Sequence, residues 1–135
     1  MRAKREGELG TQLGQILRSR NAMFIPMVAS EYSERGVPDK FLAHRFWQGW
    51  CELKNLGEKL PDHQAQYIAN LAAHGCNCCV IWFTNRDKVT RETQLEVQHV
   101  CYGLDGQLVQ HTFTCTAFAL IDVLAGCVRK AYGQG

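Results

Sequence analysis

The run Cys76-Asn77-Cys78-Cys79-Val80-Ile81-Trp82-Phe83 constrains the chain most. It is almost continuously apolar and short. A strand of that character is stable only at the centre of a sheet covered on both faces. The fold must therefore supply helices above and below it. With 135 residues the chain suits one compact domain, 1–135, and one core.

The flanking pattern supplies those layers. Residues 6–20 read as a helix with Leu9, Leu13, Ile16 and Leu17 on one stripe. Gly7, Gly10 and Gly14 lower its propensity and imply either close packing or fraying. Residues 22–29 read as a strand, with Pro26 arguing for an edge or a bulge. Residues 38–44 and 47–54 read as an antiparallel hairpin. A helix begins at Pro61 and stops at Gly75, a left-handed cap. Its inner face carries Gln64, Tyr67, Ile68, Leu71 and Ala72. Thr93–Tyr102 and Gln107–Cys115 alternate around the turn Leu104-Asp105-Gly106. Ala117–Tyr132 reads as a last helix with Phe118, Ile121, Leu124 and Val128 on one face. The order α-β-β-β-α-β, then a hairpin and a helix, is an α/β domain with a mixed sheet.

A net charge of +2 excludes nothing by itself. The cations Arg2, Lys4 and Arg5 gather at the start, and Arg18 and Arg20 end the first helix. They suit a solvated terminus or a phosphate backbone. The seven cysteines lie mostly in apolar runs, as reduced core thiols do. His74 with Cys76, Cys78 and Cys79 suggests zinc, but a strand turns Cys78 and Cys79 to opposite faces. No apolar h-region opens the chain and no apolar run nears bilayer length, so a soluble, cytoplasmic protein with no membrane partner is expected.

The chemistry gathers at Gly36-Val37-Pro38-Asp39 and Glu52-Leu53-Lys54. Residues i and i+2 of a strand share a face, so Glu52 and Lys54 project together, away from Cys51 and Leu53. A hairpin turn at Arg45-Phe46 brings Asp39 beside Glu52, although the sequence does not fix the register. Two adjacent carboxylates take up a proton or share a cation. All-oxygen ligation suits Mg2+ or Mn2+. Lys54 would then orient a water or stabilise negative charge. Glu6 and Gln64, on inward helix faces, need polar partners. A strand-end salt bridge would use the same acids and lysine.

At Glu6, Gly36-Val37-Pro38-Asp39, Glu52-Leu53-Lys54 and Leu60-Pro61-Asp62-His63-Gln64 the chain resembles the PD-(D/E)xK nuclease superfamily. The nearest resemblance is to the VRR-NUC and Holliday-junction-resolvase-like nucleases common in phages. It covers residues 6–83, with 86–132 as a hairpin and helix elaboration. The resemblance implies a restriction-endonuclease-like core and a Mg2+-dependent DNA endonuclease, with Mn2+ as a substitute. Asp39, Glu52 and the Leu53 backbone carbonyl would hold metal, with Glu6 as a further ligand. Lys54 would assist the attacking water, and Gln64 would support the site. Branched DNA such as a Holliday junction, a homodimer, and a host's cytoplasm for a phage-encoded chain are implied with it. Arg2, Lys4, Arg5 and Arg35 would meet DNA. Pro61 departs from the small hydroxyl residue often found before that glutamine, and Glu8 competes with Glu6 as the helix acid. The alternative is a non-catalytic DNA-binding protein that keeps the nuclease fold.

Overall fold

The computed structural model describes residues 2–27 and 36–133, with side chains from Gly7 onward. The elements are α1 (Arg2–Ser19), β1 (Met23–Pro26), β2 (Lys40–His44), β3 (Trp47–Lys54), α2 (Asp62–Ala73), β4 (Asn77–Phe83), β5 (Gln94–Tyr102), β6 (Leu108–Thr116) and α3 (Leu120–Ala131). They form one six-stranded sheet in the order β1-β2-β3-β4-β5-β6. β3 and β4 are parallel, and every other neighbouring pair is antiparallel. The hairpin β5–β6 extends the same sheet.

Helices cover the sheet unequally. α1 and α3 pack on one face, where Leu9, Leu13, Leu42, Cys51, Leu53, Cys79, Ile81, Leu95, Leu120 and Leu124 are buried together. α2 covers the other, packing Ile68 and Ala72 against Cys78, Val80 and Val100. The apolar run at 76–83 is thus explained: alternate residues of β4 feed two cores. Each fully buried leucine or isoleucine contributes about 1.5–3 kcal/mol.

Helix ends follow local chemistry. α1 closes with Asn21 at φ 65°, and the N–H groups of Asn21 and Ala22 reach the carbonyls of Arg18 and Leu17. α2 closes in the same way on Gly75 at φ 93°, with Gly75 and Cys76 donating to Ala72 and Leu71. This double bond is the Schellman motif, which occupies carbonyls the helix leaves unpaired. α1 runs unbroken through its glycines. A Cβ on Gly10 would stand 3.1 Å from Leu53 Cδ1, so the glycine serves close helix–sheet packing and does not fray the helix.

Several boundaries differ from expectation: α1 already begins at Arg2, so Arg2, Lys4 and Arg5 lie within it and not before it, and β2 begins only at Lys40. The β1 pairing ends at Pro26, an edge position, and residues 28–29 lie outside the described residues. The last helix begins at Leu120, not Ala117, because the Thr116 hydroxyl accepts the Ala119 N–H at 3.2 Å and forms a turn there. Phe118 is therefore off the buried face. It lies exposed, under the guanidinium groups of Arg20 and Arg91. No helix among the described residues is long and apolar enough to cross a membrane.

Candidate active site

The β2–β3 hairpin sets the central relationship. Its two-residue turn at Arg45-Phe46 fixes the register from His44–Trp47 to Lys40–Cys51. One step beyond stand Asp39 and Glu52. The Asp39 N–H donates to Glu52 Oε1 at 3.2 Å, and the Leu53 N–H donates to Asp39 Oδ1 at 3.2 Å. The ladder ends here, and the two carboxylates take over its hydrogen bonds. Lys54 follows Glu52 on the α2 face, with its Nζ 3.5 Å from Glu52 Oε2. Glu52 and Lys54 are only 5% and 7% exposed.

Burial dominates the electrostatics. It pushes the Glu52 carboxyl up to about 7, and the neighbouring Asp39 pushes the same way. Lys54 and the Asp39 N–H pull it back only in part. Asp39 is also raised by burial, against the Leu53 N–H and the charges of Lys40 and Lys54. Lys40 and Lys54 together do not offset the burial of this pair. The site favours uptake of a proton or of a further cation.

The approach to Asp39 is clamped from two sides. Gly36 has φ 94°, and a Cβ there would lie 2.9 Å from the His63 carbonyl oxygen. Glycine alone lets the Gly36-Val37-Pro38-Asp39 segment run against the first turn of α2. On the other side the Met27 N–H donates to the Asp39 carbonyl at 2.8 Å. Gln64 belongs to that same first turn, and its buried Oε1 accepts no hydrogen bond. The loop between β3 and α2 is tied down by the Trp82 indole N–H, which donates to the Glu58 carbonyl at 2.7 Å.

The remaining charged, histidine and tryptophan residues around the pair separate. Glu8 is exposed on α1. Arg2, Lys4, Arg5 and Glu6 belong to α1, but their side chains lie outside the described residues, as do Arg35 and its neighbours Glu31, Tyr32 and Glu34. His63 is exposed beside Gln64. Trp47 is buried, and half-buried Trp50 meets Phe41 edge-on at 5.2 Å between centroids. Cys78 and Cys79 fall into opposite cores, and Cys79 instead meets Cys51 with 3.1 Å between sulfurs. The zinc grouping around His74 is not assembled.

Sequence reasoning missed one group. His99, His111 and Cys127 converge beneath α3. The turn centred on Asp105 carried the signal, since His99 and His111 are equidistant from it and pair across β5 and β6. The chain matches no protein-family model and no curated protein.

Proposed function

We propose that the chain is a metal-dependent endonuclease that hydrolyses DNA phosphodiester bonds, acting on branched DNA such as a Holliday junction. The observation that carries this reading is the reciprocal bonding of Asp39 and Glu52 with buried Lys54 on the same face. A structural salt bridge accounts for Lys54 and Glu52 but leaves Asp39 half-buried, with its carboxyl raised by desolvation.

The donor set fits a hard divalent ion. Asp39 and Glu52 supply carboxylate oxygens. A strand residue turns its N–H and C=O to the same edge, so the Leu53 carbonyl lies on the β2 side of β3, the side on which its N–H meets Asp39. These oxygens would hold Mg2+ or Mn2+. When bound, such an ion lowers the pKa of water and polarises a phosphoryl oxygen. Glu6 is proposed as a further ligand.

The protein's own groups then divide the work. Lys54 brings a fixed positive charge where negative charge develops on the phosphate. The sheet and α2 exclude water from Glu52 and Lys54, which strengthens that charge. Gln64 offers an unused acceptor at the helix start, suited to orienting a water or a substrate hydroxyl. Arg2, Lys4, Arg5 and Arg35 are proposed as phosphate contacts, and a homodimer would present two such sites to a junction.

Labelled four-way junction, flap and linear DNA incubated with Mg2+ or Mn2+ test the reading. The parent is expected to cut, and Asp39→Ala and Glu52→Ala are not. A parent that binds DNA but cuts none of these with either ion would leave a binding protein on a nuclease-like frame.

A further inference from the structure

The geometry points to a second metal site, for a soft divalent ion of the zinc class, formed by His99, His111 and Cys127. Each offers one ligand atom, and these atoms lie within 4.8 Å of one another. A tetrahedral zinc sphere separates nitrogen and sulfur ligands by about 3.4 Å. Closure therefore asks for side-chain adjustments and no change of fold. The residues come from three elements, since His99 and His111 are cross-strand partners on β5 and β6 and Cys127 descends from α3.

Two buried ring nitrogens at this site have no hydrogen-bond partner. His99 is fully buried, and its Nδ1 has no hydrogen-bond partner. The Nδ1 of His111 is likewise buried and unpartnered. Buried polar atoms are satisfied in most proteins. Two orphaned ring nitrogens beside a buried thiol are what a thiolate- and imidazole-binding ion would relieve. Hard oxygen donors are lacking in this trio, so it is distinct in chemistry from the Asp39–Glu52 pair.

Trp47 sets the terms of binding. Its indole N–H donates to His99 Nε2 at 3.0 Å. A neutral imidazole has one lone pair and one N–H. Without metal the lone pair faces Trp47 and the proton sits on Nδ1. With metal at Nδ1 the proton moves to Nε2, where two N–H groups would face each other 3.0 Å apart, so Trp47 loses its acceptor and the rings must turn apart. The Cys127 thiol gives its proton to solvent and becomes the thiolate ligand. The lost hydrogen bond is small beside the binding energy of a thiolate zinc site, so loading proceeds against it. Trp47 thus tunes affinity without touching the ion.

Titrating Co2+ into metal-stripped full-length protein tests this. A sulfur-to-cobalt charge-transfer band with intense tetrahedral visible bands is expected, and Zn2+ should bleach both. Cys127→Ser should abolish the charge-transfer band despite six remaining cysteines, and His111→Asn, at a half-buried position, should weaken binding at least tenfold. Trp47→Phe, provided its circular dichroism matches the parent, should bind roughly tenfold more tightly, because no N–H competes for His99. Asp39→Asn should leave the charge-transfer band unchanged, because that band reports the thiolate ligand alone. No charge-transfer band in the parent, or a band that survives Cys127→Ser, overturns the proposal.

Discussion

Asp39 and Glu52 are joined through main chain: each carboxylate accepts an N–H from the other's end of the hairpin, at 3.2 Å in both cases. Both carboxylates are therefore fixed in place, with Lys54 3.5 Å from Glu52 as the ion-pair partner of one of them. Glu52→Gln keeps an oxygen for the Asp39 N–H and removes the charge that burial penalises. At pH 8 in chelator it should stabilise the fold by about 1–3 kcal/mol while cleavage falls at least a hundredfold. Urea unfolding and junction cleavage measure the two effects. A destabilised variant would mean that the Lys54 pair outweighs burial.

The pH dependence has a definite sign. Glu52 titrates near 7 in the fold against an ordinary value of 4.5. A raised acid contributes stability that is fully present below 4.5 and lost as pH rises through 7. In chelator, melting temperature should decline across that window more in the parent than in Glu52→Gln. Added Mg2+ should reverse the decline, because it displaces the proton. Parallel pH profiles for the two proteins would contradict the assignment.

Lys54→Met should separate chemistry from folding. The methionine fills the same apolar stem space, so circular dichroism should be unchanged. Cleavage should fall on the order of a hundredfold or more, since no positive charge remains at the phosphate. Retained cleavage would assign Lys54 to structure alone.

Gln64→Leu removes an oxygen that accepts nothing in the fold. Stability should change by less than about 1 kcal/mol or increase, because an unsatisfied acceptor is lost. A loss of cleavage at unchanged stability would give Gln64 a role in the site. Loss of both would make it a packing residue.

Gly36→Ala acts at a distance from the chemistry. It places a Cβ at positive φ and 2.9 Å from a backbone oxygen of His63. Destabilisation of about 1–3 kcal/mol is expected, with slower cleavage as Asp39 shifts. Differential scanning calorimetry and a cleavage time course read both.

Much of this was legible in the sequence because period and turn chemistry are local. Pro26 declared an edge, Gly75 a helix end, and the Arg45-Phe46 turn aligned Asp39 with Glu52. The start of α3 was not legible, since Phe118 is apolar and helically spaced. Two arginines on its ring and the Thr116 turn decide against the helix, and both are contacts made in three dimensions. The depth of His99 was likewise hidden. A histidine in an alternating strand looks the same whether it meets solvent or, as here, the indole of Trp47, 52 positions away.

Because the strands lie side by side in chain order, the sheet can grow one strand at a time, each new edge waiting for the next segment. Only one step needs a crossover, the parallel entry of β4. Contacts also join the first and last helices. Arg20 after α1 reaches Asp122 in α3 across 102 positions, at 3.1 Å. Asp39, Glu52 and Lys54 all precede Asp122 in the chain, so that clasp can close only after the paired acids and their lysine have been synthesised.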